Sequence, residues 1–519
     1  MLVGVVTSAL LGFFALVPFT AHAAGCEDSW SNTAGGSWFE GANWSTKSPP
    51  REGEEACITA AGTYTVTMVQ ASEGVTVKAL TIGGATGKQM LSIGGSCSSS
   101  PRLKSVSGIS VETNGVLTTT EAGGCTGNVR IAGPLTNKGT LAIDYDTEYG
   151  FGAATLLNEG TIDLAGGAQL LSGNETTVAN AAGSIESSGT GNLLVQGGTL
   201  NQGAGKSSGE PVYVEDGTLD LTGRGAASVT TLGTSTLTGS ETLYKGQRLA
   251  VKGVCAYGHG NLSRAGALLN EGTIVLESPE VCGLQANLRL GASKLLHKGT
   301  LAVESGSHLI EAETGVENEK TFSLAAGAEL NVEGPFTETE KATFDYGIGP
   351  AGAASLRSFG DSKIAGTLSL QTAKGFVGAL GQSYTLLGSP GYLGTFATVT
   401  SATIKSKVEP GLYYRPDYSD SLAMVLAVAQ ATLSVTPGEA LPGATVHLLG
   451  GGFPAGDSVK LSFKDAKKTQ TTFTSATASY NGFVPAEVTI PLTAAAGKGT
   501  LTAQDTVTGV KATVTIKVT

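Results

Sequence analysis

The sequence predicts an all-β chain, a stacked β-solenoid followed by a small β-sandwich, and three observations carry that prediction. The first is a recurring phrase, Asn-Xaa-Gly-Thr plus an aliphatic residue. It reads Leu135-Thr-Asn137-Lys-Gly139-Thr140-Leu141, Leu157-Asn158-Glu-Gly160-Thr161-Ile162 and Leu269-Asn270-Glu-Gly272-Thr273-Ile274. Looser copies stand at His297-Lys-Gly299-Thr300-Leu301 and Glu215-Asp-Gly217-Thr218-Leu219. In each, Asn or Asp with Gly makes a turn and the following residues restart a strand. Gly139 and Gly160 lie 21 residues apart and Gly272 and Gly299 lie 27 apart, inside the range of stacking repeats.

The second observation is composition. The 519 residues include 75 glycines, about twice the usual frequency, and only 14% are charged. Apolar residues reach 40%, enough for an ordered core. Beyond the N-terminus no sustained 3.6-residue periodicity is present, so helices should be scarce. The third observation is a change of texture at Ala429, where the repeats stop. Length allows a solenoid plus an appendage, with boundaries expected at 1–24, 25–428 and 429–519.

Residues 1–24 are almost wholly apolar through Leu10-Leu11-Gly-Phe13-Phe14-Ala-Leu16-Val17, then broken by Pro18, with Ala21-His22-Ala23 after it. That pattern is a secretory signal and not a spanning helix, although no Lys or Arg precedes the apolar run. Export makes a secreted or cell-surface protein the expected localisation, with no transmembrane segment after signal cleavage. Next come Trp30, Trp38 and Trp44, all the tryptophans of the chain. They form either an aromatic cap over the first open coil or a ligand-stacking platform for sugar rings.

Six cysteines follow the signal, and an even number in an exported chain points to disulfides. The stretch around Cys97 and Cys125 parallels that around Cys255 and Cys282, with spacings of 28 and 27 residues and an Asn-Gly turn inside each. Two copies of one unit should carry the same bridge. The expected pairs are therefore Cys97–Cys125 and Cys255–Cys282, leaving Cys26–Cys57 to staple the N-terminal cap. Zinc ligation lacks its Cys-Xaa-Xaa-Cys pair.

Gly36-Ser-Trp38, Asn43-Trp44-Ser45, Pro49-Pro50, Tyr64-Thr-Val66 and Val77-Lys-Ala-Leu80-Thr-Ile82 together resemble the start of exported bacterial β-helical repeat proteins of the autotransporter-passenger-like and adhesin-like kind. The run Gly381-Gln-Ser-Tyr384-Thr-Leu-Leu387, Leu393-Gly-Thr-Phe396, Tyr414, Tyr418 and Val425-Leu426 is similar to the closing strands of the same class. The resemblance implies a right-handed parallel β-helix over about 28–428. Beyond it, Val446/Leu448, Val459/Leu461/Phe463, Val488/Ile490 and Val514/Ile516/Val518 alternate with period two between Gly- and Asn-rich turns. About 90 such residues suit an Ig-like sandwich, and Pro442-Gly443 with Gly451-Gly-Phe453-Pro resembles bacterial IPT/TIG-type modules.

Candidate sites are few. Asp144, Asp146 and Glu148 stand at alternate positions, which on one strand would place three carboxylates on one face. These are the oxygen ligands Ca²⁺ takes, although the EF-hand spacing fails; a solvated face is the plainer reading, and no other cofactor is expected. Glu311, Glu313, Glu317 and Glu319 form a second acidic run that reads as solvated. Gly347-Ile-Gly349-Pro-Ala-Gly352 matches a dinucleotide motif without its βαβ setting, and Gly205-Lys-Ser207-Ser-Gly209 matches a nucleophile elbow without its helix. The histidines are scattered, and spacing nominates no catalytic set.

A net charge of −11 without a basic stripe disfavours nucleic acid and anionic membrane surfaces. The expected function is a secreted, non-catalytic structural or adhesion protein. Its partners would be cell-wall or extracellular polysaccharide, or another surface protein. The alternative is an extracellular polysaccharide lyase or glycoside hydrolase on a β-helix scaffold, for which Tyr244-Lys245 and Arg248 offer the one basic-aromatic group.

Overall fold

A computed structural model describes residues 26–69, 74–94, 102–121, 127–150, 152–278, 282–304, 306–402, 404, 412–454, 456–479 and 482–519. The expected signal at 1–24 and the expected Cys97–Cys125 bridge lie outside them. Among the described residues the chain is all-β, with a short 3-10 turn at Gly41–Asn43. It winds into a parallel β-solenoid of about 14 turns.

Each coil visits three faces in order. On the first, Ala154–Asn158 pairs with Thr176–Asn180, which precedes Thr199–Gln202 and then Thr218–Leu221, all parallel and in register. The second carries Thr140–Ile143, Thr161–Leu164, Ser184–Ser187 and Lys206–Ser208. The third carries Gln169–Ser172, Asn192–Gln196, Val212–Glu215, Ser228–Leu232, Arg248–Lys252 and Thr273–Glu277. The second face is interrupted once: residues 222–227 cross it without forming a strand, and the ladder resumes at Thr242–Leu243 and Leu268–Asn270.

Alternation puts apolar residues inside in aligned columns. Val229, Leu249, Ile274, Leu301, Phe322, Phe344 and Leu368 succeed one another in register and are all buried. Phe322 and Phe344 stack at 5.0 Å between centroids. A parallel strand needs a column partner above and below, so each coil supplies half of its neighbour's core.

The recurring phrase does not mark one corner. Asn137 and Asn158 end first-face strands, Asn270 and His297 end second-face strands, and Asp216 follows a third-face strand. The asparagines also do more than turn the chain. Asn137, Asn158, Asn180 and Gln202 are fully buried and form a side-chain ladder up the coils. Asn137 Nδ2 donates to Asn158 Oδ1 at 2.9 Å, and Asn158 to Asn180 at 3.1 Å. Each amide also donates to a backbone carbonyl beyond the turn: Thr161, Ser184 and Lys206 at 2.9, 3.0 and 3.1 Å. An amide can do this because it carries both donor and acceptor.

A second polar ladder runs through the upper coils. Asn270 Nδ2 donates to His297 Nδ1 at 3.0 Å, and His297 Nε2 donates to the Thr321 carbonyl at 2.6 Å. Asn318 donates to both carboxyl oxygens of Glu338 at 3.1 and 3.0 Å. Burial pushes His297 down to about 4, and Lys320 adds to that, against the pull of its Thr321 bond. Burial pushes Glu338 up to about 8, with the Asn318 bond opposing.

The solenoid is closed at both ends. Trp30, Trp38 and Trp44 are buried and meet edge to face at 5.2 and 4.8 Å, and Trp44 Nε1 donates to the Trp38 carbonyl at 2.8 Å. They cap the first coil, so their ring faces are turned inward and offer no sugar platform. At the far end Ala423–Gln430 turns back and pairs antiparallel with Ser383–Gly388 on one side and Leu412–Asp417 on the other. Beyond them, Thr432–Thr436, Thr445–Gly451 and Val484–Thr489 form one antiparallel sheet. Ser458–Lys464, Gly497–Asp505 and Lys511–Val518 form the core of another. Tyr413, fully buried, donates across the seam to the Gly452 carbonyl at 2.6 Å.

Two disulfides occupy expected positions. Cys26–Cys57 and Cys255–Cys282 have Cα atoms 5.9 and 5.8 Å apart, across 31 and 27 residues. Cys255 and Cys282 follow Arg248–Lys252 and Thr273–Glu277, which pair one coil apart. The bridge therefore staples successive coils. Cys255→Ser/Cys282→Ser should lower unfolding stability by roughly 3–4 kcal/mol on the chain-entropy model, read from urea denaturation. Free thiols at these positions in a peptide map made without reductant would contradict the pairing.

Candidate functional site

The carboxylates proposed for Ca²⁺ are engaged separately. Asp144 and Asp146 sit in a corner and not on a strand. Asp144 accepts from the Thr118 hydroxyl at 3.1 Å, and Asp146 accepts from the Gln169 backbone amide at 2.9 Å. Glu148, on Thr147–Tyr149, is bridged to Arg130 at 2.6 Å, and that bond holds its carboxyl below the usual range. Among the described residues no group of three or more His, Cys, Asp or Glu is arranged to hold a metal ion. The one-face geometry fails because the chain bends at Asp144 and Asp146.

Most of the second acidic run is also tied down, by cations one coil below: Glu311 with Arg289 at 2.9 Å, Glu317 with Lys294, and Glu319 with Lys298 at 3.2 Å. Lys252–Glu277 at 3.3 Å and Arg130–Glu148 follow the same cross-coil rule. Each such exposed pair contributes little energy, about 0–1 kcal/mol. Their effect is to neutralise long stretches of the wall. The dinucleotide-like stretch forms an antiparallel hairpin, with Ile348 opposite Ala353.

Stacking in register also turns the Thr of the phrase into rails. Arg248, Thr273, Thr300, Thr321, Thr343, Thr367 and Thr398 occupy one column of the third face. Thr155, Thr177, Thr199, Thr218, Thr236 and Ser263 occupy one column of the first. All face outward, half-buried or exposed. Successive coils lie about 4.8 Å apart, so a rail offers a hydroxyl and a methyl at that interval along the axis.

The lower end of the third-face rail runs into an open depression of about 230 Å³ lined by Lys245, Arg248, Glu271, Thr273, Thr300 and Lys320, with Gly272 and Gly299 on its floor. A Cβ on Gly299 would stand 2.1 Å from the Gly272 carbonyl, so the floor must be bare for the turns to stack. Beside it Arg224, from the strandless crossing of the second face, lies 4.6 Å over the Tyr244 ring. The Ser240 hydroxyl bond, and then Arg224, hold the Tyr244 phenol below its ordinary value. Sequence reading found Tyr244, Lys245 and Arg248 but not Thr273, Thr300 or Lys320, which arrive from higher coils. The signal that would have found them is the column spacing of 25 and 27 residues from Arg248 to Thr273 to Thr300.

Fold and surface define a β-helical repeat protein whose outward faces are periodic. No protein-family model matches the sequence, and no curated protein matches it. No helix among the described residues is long and apolar enough to cross a membrane.

Proposed function

We propose that this chain is a secreted or cell-surface-associated, non-catalytic scaffold that binds glycan along its outer wall. In this reading residues 1–24 direct export, the coil is right-handed, and the C-terminal sheets form an Ig-like sandwich that spaces or attaches the rod. Parallel crossovers are right-handed in nearly all proteins, and two antiparallel sheets of short strands are the ingredients of an Ig-like module.

The observation that carries the proposal is the third-face threonine rail from Thr273 to Thr398. A row of hydroxyls beside methyl groups, repeated along one axis, matches a polymer whose hydroxyls and C–H faces also repeat. A lyase or hydrolase reading would need paired carboxylates for acid–base work, and Glu271 is the one carboxylate among the residues lining the depression. Immobilised glycans should retain the full-length protein without release of new reducing ends. Turnover of any retained glycan would sink the non-catalytic reading, and failure to be retained by every glycan would sink the binding reading.

A further inference from the structure

We infer that the depression at the foot of the third-face rail binds an acidic polysaccharide, with Lys245, Arg248 and Lys320 pairing its carboxylates and Thr273 and Thr300 meeting its hydroxyls. The inference rests on the glycan-binding reading above and names the ligand class.

The chain as a whole is acidic, at −11, and Arg130, Lys252, Arg289, Lys294 and Lys298 each meet a carboxylate from the adjoining coil. Around the depression the balance of charge is different. Lys245, Arg248 and Lys320 line one depression, Arg224 stands beside it, and none of the four is in an ion pair with a described residue. Against them the lining offers only Glu271. The site is thus locally positive on an otherwise negative protein, which concentrates anions there.

Geometry narrows the anion. Arg224 lies over one face of the Tyr244 ring beside the depression, a cation–π contact that holds a fourth positive charge at its edge. The bare floor of Gly272 and Gly299 lets a flat chain approach the backbone, and the Thr273 and Thr300 hydroxyls stand one coil apart to meet sugar hydroxyls. A lone small anion would use the cations but not the rail; a uronate polymer uses both.

The test measures binding of full-length protein to polygalacturonate, to neutral mixed-linkage glucan and to dextran sulfate, at low and high salt. The expected result is binding to polygalacturonate that weakens at least tenfold in Lys245→Ala/Arg248→Ala/Lys320→Ala and falls with salt, as exposed charges require. Lys245 and Lys320 are exposed, so Lys245→Glu/Lys320→Glu serves as a second variant that keeps the half-buried Arg248. Preference for dextran sulfate would replace carboxylate by sulfate as the recognised group and overturn the inference as stated. Binding to neutral glucan alone would overturn it and leave the scaffold reading standing. Equal binding by wild type and both variants would overturn the site, and no binding to any of the three would remove the scaffold reading too.

Discussion

Between about pH 6.5 and 8 the protein is expected to lose stability as the solution becomes more basic, and Glu338→Gln should remove most of that loss. Glu338 ends the upper polar ladder, buried, with Asn318 donating to both its oxygens. Its folded pKa is raised to about 8 from 4.5. The unfolded chain releases this proton near 4.5 while the folded chain keeps it, so the folded state binds more protons across that window. Stability is therefore full below the lower value and declines as pH rises to the upper one. Each pH unit of separation is worth about 1.4 kcal/mol, so the whole effect is on the order of 4–5 kcal/mol.

His297 acts in the opposite sense. Its folded pKa is lowered to about 4 from 6.5, so the unfolded chain binds the extra proton and stability falls as pH drops through that window. The two limbs offset each other between 4.5 and 6.5. Glu338→Gln should leave the rising His297 limb opposed only by Asp457, whose carboxyl burial and Asp505 push up to about 7, and His297→Gln should leave a falling limb that extends to about 8. Urea midpoints collected from pH 4 to 9 would check this. Superimposable curves for wild type and Glu338→Gln would show that the carboxyl is not buried as described.

The lower ladder should be equally intolerant of substitution. Asn158→Ala removes the donor to Asn180 Oδ1 and to the Ser184 carbonyl, leaving two interior acceptors unmet. At about 1–3 kcal/mol for each buried group left unpaired, the loss is on the order of 3–5 kcal/mol. The matching control is Asn201→Ala. That asparagine points outward from the same face and bonds to Asp220 at 3.1 Å, where water replaces the lost partner and the cost stays below about 1 kcal/mol. Equal shifts in the denaturation midpoint for the two variants would mean that the interior ladder contributes nothing beyond turn formation.

The asparagines also mark where sequence reading stopped. Asn137, Asn158 and Asn270 were legible as turn formers beside glycine, because that role depends on three or four consecutive residues. Their second role depends on Asn180, Gln202 or His297 standing above them, and nothing within one phrase reveals it. The shared-face reading of three carboxylates failed for a related reason. Alternation of Asp144, Asp146 and Glu148 implies a shared face only if all lie on one strand, and the corner at Asp144 and Asp146 removes that condition.

What the sequence by itself determined is the kind of object: β-coils, a tryptophan-sealed start, a change of texture near residue 429, and two disulfides one coil apart. These follow from alternation, turn chemistry and spacing, which are local. Only the tertiary structure decided which corner each phrase occupies, which polar groups stack inside, and that Lys245, Arg248, Thr300 and Lys320 share one depression. Those are properties of register between coils, and register is set by the summed packing of every column and not by any single segment of the chain.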